Sequence, residues 1–181
     1  MLNMKSRMIN LLKAISIVSV LLPLPASAIQ EDFDKPISAS SNQQIAELNK
    51  NKLTFIDNVE IIQGTLKINA NKVEIFKNDK GQVDKIISYG NPVTYTQMMD
   101  NNRPIEAKSQ ILSYDTINKI IVLRKKASIT QEDSQISGEK IEYDLIKETM
   151  KAQGEKKKDR VITTFVPSNL KKQIEDSKTK K

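Results

Sequence analysis

The sequence predicts an all-β fold, and three observations carry that prediction. Apolar and polar residues alternate at period two between Lys52 and Gln153, turn-forming clusters punctuate the alternation, and apolar faces of helical period are missing from this stretch. Val59 and Ile61 alternate with Asn58 and Glu60, and Val73 and Ile75 with Lys72 and Glu74. Val93 and Tyr95 alternate with Thr94 and Thr96, and Ile141, Tyr143 and Leu145 with Lys140, Glu142 and Asp144. Strands with one buried and one wet face have this pattern. Turn signals stand at Asp57-Asn58, Gln63-Gly64, Asn78-Asp79-Lys80-Gly81, Gly90-Asn91-Pro92, Asp100-Asn101-Asn102 and Glu132-Asp133-Ser134.

The strands also repeat. At a period of 34 residues, Leu53, Ile87 and Ile121 correspond, as do Phe55, Tyr89 and Leu123, then Val59, Val93 and Ala127, then Ile61, Tyr95 and Ile129. Each unit closes on a glutamine, at Gln63, Gln97 and Gln131, which apolar alternation does not require. A second element recurs as Ile37-x-Ala39, Ile68-x-Ala70, Ile105-x-Ala107 and Ile136-x-Gly138. Short strands of one unit cannot bury a face alone, so stacked units share one core. Stacking leaves an open strand edge at each end, a liability unless it is covered, charged or used. The first edge is expected around Pro36–Ser40, with Ile37, Ser38 and Ala39 as candidate pairing residues. The last is expected at Val161–Val166, a β-prone uncharged run, with Thr163, Thr164 and Phe165 as candidates. Pro167 stops it, and Ser168 is placed to cap a short helix through Gln173.

Ahead of the strands lies a leader. Lys5 and Arg7 form a positive start, Ile15–Leu24 is an uncharged apolar run, and Ala26-Ser27-Ala28 is a small-x-small cleavage site. This is the pattern of a secretory signal peptide over residues 1–28, too short in its apolar part to span a bilayer as a helix. No cysteine follows it to carry a lipid anchor. An exported protein with one domain over 29–170 and a disordered basic tail over 171–181 is the expectation.

Composition narrows the function. The 181-residue chain has no His, Cys or Trp, which removes imidazole acid–base chemistry, thiol nucleophiles, His/Cys metal sites and disulfides. Its 29 basic and 22 acidic residues leave +7, but Ile29–Gly154 holds 17 basic against 18 acidic. The excess sits in Lys5, Arg7 and Lys13 of the leader and in the stretch from Glu155 to Lys181. A nucleic-acid groove would need that charge in the body, so nucleic acid is not an expected partner.

The run Gln63-Gly64-Thr65-Leu66-Lys67-Ile68-Asn69-Ala70-Asn71-Lys72-Val73 resembles the LptA (OstA-like) family of periplasmic lipopolysaccharide-transport proteins. Tyr89-Gly90-Asn91-Pro92 followed by Tyr95-x-Gln97-Met98-x-Asp100-Asn101 matches the same family, as do Lys140-Ile141-x-Tyr143 and Val166-Pro167-Ser168-x-Leu170. The matches run in family order from about Pro36 to Leu170. Asp57-Asn58, Ala107 and Arg124-Lys125-Lys126 depart from it where the family often has Gly-Asn, Gly and a small turn. The resemblance implies a twisted, semi-open β-jellyroll of short antiparallel strands, with no catalytic residues, cofactor or metal. It implies carriage of lipopolysaccharide, with lipid A shielded, by head-to-tail self-association between an inner-membrane LptC-like and an outer-membrane LptD-like jellyroll.

Elementary energetics agrees with such a role. A saturated chain of about a dozen carbons loses ~10 kcal/mol on entering water, at ~0.8 kcal/mol per methylene. An apolar trough between two sheets shields such chains while leaving sugars wet. The chain has only eight Phe and Tyr residues and many inward aliphatics, a lining that suits acyl chains better than a sugar ring. The trough-lining candidates are Ile37, Val59, Ile61, Ile68, Val73, Ile75, Val93, Tyr95, Leu112, Tyr114, Ile129, Ile141 and Tyr143. Two other classes stand beside this one. A glycan-acting enzyme would need paired carboxylates such as Asp32/Asp34 or Glu132/Asp133, but these lie in polar segments and are expected to be solvated. A β-sandwich adaptor would bind only protein, through its edges.

Overall fold

The computed structural model describes residues 32–99, 103–154 and 159–165. The leader, the segment after Phe165 and the Asp100-Asn101-Asn102 turn lie outside the described residues. Ten strands follow in order: β1 (Ser38–Ser40), β2 (Gln43–Glu47), β3 (Lys52–Gln63), β4 (Leu66–Lys77), β5 (Val83–Met99), β6 (Arg103–Asp115), β7 (Ile120–Gln131), β8 (Ser134–Asp144), β9 (Thr149–Gln153) and β10 (Ile162–Phe165). All pairings are antiparallel. The ladder runs β1-β3-β4-β5-β6-β7-β8-β10, with β2 also on β3 and β9 also on β8. Among the described residues no helix is long and apolar enough to cross a membrane.

The central strands are long, and each neighbouring pair breaks register at the same level. The breaks fall at Ile56/Val59, Asn69/Lys72, Tyr89/Val93, Lys108/Ile111 and Arg124/Ala127. A bulge bends and twists a strand, and a line of bulges across adjacent ladders folds the sheet into two half-sheets. Side chains meet across the fold, since the Tyr143 hydroxyl of one half lies 3.9 Å from Met99 Sδ of the other. The result is a two-layered, unclosed β-jellyroll.

Two expectations change here. Asp57-Asn58 and Gly90-Asn91-Pro92 are not turns between strands; they are bulges inside β3 and β5. Turn residues suit both roles, because a bulge also needs unusual backbone angles, and Asp57 and Asn58 have φ of 59° and 50°. The 34-residue register also slips. Ile86 and Ser88 are buried in β5, whereas Ile87 and Tyr89 are only half-buried. The next buried position, Val93, lies one residue further on than in β3 and β7, because the β5 bulge holds one residue more. The turns after Asp115 and Asp144 carry no Gly or Pro and escaped notice. In each, the aspartate Oδ1 accepts two backbone N–H bonds of 2.8–3.1 Å and a left-handed residue, Lys119 or Glu148, closes the hairpin.

Three tyrosines point inward and are buried to 2 % exposure or less. Tyr95 donates to Gln97 Oε1, while the Tyr114 hydroxyl has no hydrogen-bond partner among the described residues. Burial raises all three phenols above their ordinary range, Tyr143 to about 12. Neighbouring phenols and the charge of Asp32 add to the rise at Tyr95, and Asp115 and Asp32 to that at Tyr114.

Each of these features has a measurable consequence. Only the unfolded chain releases the phenolic protons near pH 10, so stability should hold up to roughly that value and fall as pH rises through about 12. Phenolate absorbance of the native protein should therefore lag that of the denatured chain; coincident titrations would place these phenols in water. Lys125 and Lys126 hold φ of 62° and 55° in the β7 bulge. A side chain there costs about 1 kcal/mol or more against glycine, so Lys125→Gly and Lys126→Gly should each raise the denaturant midpoint. Asn58→Gly should change it less, because asparagine tolerates this conformation.

Candidate functional site

The interior is built of rows of cross-strand neighbours. One row runs Ala39, Ile61, Ile68, Tyr95, Ala107, Ile129, Ile136, Thr163 through the first half-sheet, from β1 to β10. In the second, Gln44, Phe55, Val73, Ser88, Leu112, Leu123, Ile141 and Ala152 run from β2 to β9. A parallel row there runs Ala46, Leu53, Ile75, Ile86, Tyr114, Ile121, Tyr143, Met150. Of the thirteen trough-lining candidates, twelve are 3 % exposed or less and belong to one apolar cluster; Ile37 is half-buried against it. Sequence parity thus placed their side chains, while Phe55, Ile86, Leu123 and Ala127, equally buried, were absent from that set.

The outer face is a charged surface. Glu74 Oε1 lies 3.1 Å from Lys52 and 3.0 Å from Lys72, and Oε2 accepts the Tyr89 hydroxyl at 3.3 Å. Partial burial works against the ionised Glu74, yet the two lysines prevail and its pKa is lowered. Pairs at this exposure are each worth only about 0–1 kcal/mol and serve to keep the face wet.

Both ends of the sheet are open, and each has two edges where sequence reasoning expected one. Ser38 and Ala39 lie in β1 and Thr163, Thr164 and Phe165 in β10, whereas Ile37 precedes β1. The second edge at each end is β2 or β9, overlooked because the bend that divides every long strand in two is a tertiary feature. The final strand is Ile162–Phe165, and all four of its residues are exposed, Phe165 by 70 % and Ile162 by 63 %. Val161–Val166 therefore does not pack back on the core over its described part.

One carboxylate contradicts its expected place. Asp32 is buried, at 3 % exposure, and not solvated. Its Oδ1 accepts the Thr65 backbone N–H at 2.7 Å, and its Oδ2 accepts the Thr65 hydroxyl and, at 2.9 Å, the Gln97 Nε2–H. Gln63 Nε2 donates to the carbonyls of Phe33 and Lys35 at 3.2 and 3.1 Å. A Cβ on Gly64 would stand 1.9 Å from Asp32 Oδ1 and 2.9 Å from its Cα, so glycine makes this approach possible. Across the mouth, Lys119 Nζ lies 4.5 Å from the centre of the Phe33 ring. Two of the three repeated glutamines thus hold the segment Asp32–Lys35. Asp34 and Glu132 are exposed, and among the described residues no group of three or more acidic side chains could hold a metal ion.

Comparison with known proteins agrees with this architecture. The family described as "LptA/(LptD N-terminal domain) LPS transport protein" matches residues 38–149. A protein of Haemophilus influenzae named lipopolysaccharide export system protein LptA is 38 % identical over 83 % of this chain and 88 % of its own length. The protein of the same name from Escherichia coli K12 is 39 % identical over 90 % of this chain and 86 % of its own. The crystal structure of LptH from Pseudomonas aeruginosa, titled the LptA-homologous periplasmic component of the lipopolysaccharide transport device, superposes with a TM-score of 0.70 at 22 % identity, over 76 % of this chain and 99 % of that one. With the family matched over most of the strand region and two such relatives along nearly its whole length, the chain belongs to the LptA/(LptD N-terminal domain) family of LPS transport proteins.

Proposed function

We propose that this chain carries lipopolysaccharide through the periplasm, its half-sheets parting to take lipid A acyl chains between them, as one link of a head-to-tail bridge. The observation that carries this reading is the set of largely apolar rows that cross the interior between the two pairs of open edges, interrupted by Ser88 and ending on Gln44 and Thr163. The relatives' names supply the cargo. The leader over residues 1–28 supports export, and the relatives' names, which describe export and not catalysis, support a carrier without enzymatic activity. LptC-like and LptD-like jellyrolls are the partners this bridge requires at its two ends.

Strand direction supports the joint. β1 and β10 run opposite to each other within the first half-sheet, as do β2 and β9 within the second, so a following copy adds antiparallel strands on both. Carrying the rows across sets Thr163 against Ala39 of the next copy, Phe165 against Ile37, Ala152 against Gln44 and Met150 against Ala46. Backbone hydrogen bonds then hold the joint, and alternate side chains select the partner.

Two experiments check this. Photocrosslinkers at Tyr95 or Ile61 should capture lipopolysaccharide and those at Thr94 or Glu60 should not; equal yields would refute the inward path, and no yield anywhere would favour the protein-only adaptor. Thr163→Pro with Phe165→Pro removes two N–H donors from β10, whose side chains are exposed. The variant should keep a β-rich fold while losing concentration-dependent self-association and binding to an LptD-like partner. Ser38→Pro should instead weaken binding to an LptC-like one. Persistent end-to-end oligomers of the double variant would move the joint elsewhere.

A further inference from the structure

The strap Asp32–Lys35 ties the two lips of the trough together, and the groups that hold it point to a ligand. Thr65 N–H, Thr65 O–H and Gln97 Nε2–H converge on one pair of oxygens, those of the only buried charged side chain among the described residues. Burying a carboxylate is costly unless donors match it, and here three do. Among the described residues the Gln97 side chain bonds only Tyr95 and Asp32, whereas the Thr65 hydroxyl also accepts the Met98 backbone N–H at 3.1 Å. Tyr95 donates to Gln97 Oε1 and so holds the amide with its N–H groups toward Asp32. Beside this lip, Thr65, Thr96, Gln97, Met98, Pro104 and Glu106 line an open hollow of about 240 Å³. An amphiphile with its chains between the half-sheets and its headgroup at the lip brings an anionic oxygen cluster to the place Asp32 fills.

We propose that Thr65 and Gln97 form a receptor for the phosphate of a phosphorylated amphiphile, which Asp32 occupies as a tethered competitor until loading displaces the strap. This inference rests on the carrier reading above. It gives Gln63-Gly64-Thr65 a common purpose: one residue holds the strap backbone, one leaves room for it, and one binds its carboxylate.

The test uses the full chain with two probes, lipid A and lipid A stripped of its phosphates. Asp32→Asn replaces an acceptor oxygen by a donor facing donors, and should tighten lipid A binding by about tenfold while changing the stripped lipid less. Gly64→Ala drives the strap out with its carboxylate intact and should act in the same direction. Gln97→Leu should erase the preference for the phosphorylated lipid. The chain has no cysteine, so Asp34→Cys gives a single labelling site on the strap, and a nitroxide there should gain mobility when lipid A is added. The proposal is overturned if Asp32→Asn and Gly64→Ala mobilise the label without changing affinity, or if Gln97→Leu keeps the phosphate preference. It is equally overturned if the label stays immobile at saturating lipid A. Failure of every variant and of the parent chain to bind either lipid would overturn the carrier reading itself, an outcome separable from the other three.

Discussion

The architecture depends on one constraint: every long strand must bend at the same level while keeping its apolar side chains on the concave face. Side chains alternate strictly along a strand, so an odd step between inward positions on either side of a bend would turn half of them to water. β4, β5 and β6 make such odd steps, from Ile68 to Val73, Ser88 to Val93 and Ala107 to Leu112, and in each the bulge absorbs the odd residue. β3 and β7 take an even step through two consecutive left-handed residues. Both devices give the same outcome, because inward positions stay inward on both sides of the register break.

Bending has a second consequence. A flat meander has two edges, and the same meander folded across its strands has four, two at each end. The short strands β1 and β2 at one end, and β9 and β10 at the other, each cover only half of a neighbour. Exposed backbone of this kind invites aggregation unless the protein uses it, and pairing of both half-sheets at once aligns two interiors as well as two edges.

Most polar groups serve the outer face, where ion pairs of modest strength keep the sheet wet. Among the described residues Asp32 is the only buried charged side chain; three donors meet it, and Phe33 beside it meets Lys119.

Much of this was legible in the residues. Period-two alternation determined that Ile61, Val73, Tyr95 and Ile141 face inward, because a half-buried strand admits no other pattern. The Q-G-T-L-K-I-N-A run identified the family, and the uncharged Val161–Val166 stretch marked an edge. The role of Asp57-Asn58 and Gly90-Asn91-Pro92 was not legible, since turns and bulges draw on the same residues. Nor was the fate of Asp32, whose local sequence is polar and whose donors lie 33 and 65 positions away. Local chemistry sets which face a side chain takes and where a chain can bend. Whether a bend becomes a hairpin or a fold line, and which distant groups a carboxylate meets, is decided only when strands far apart in sequence pack together.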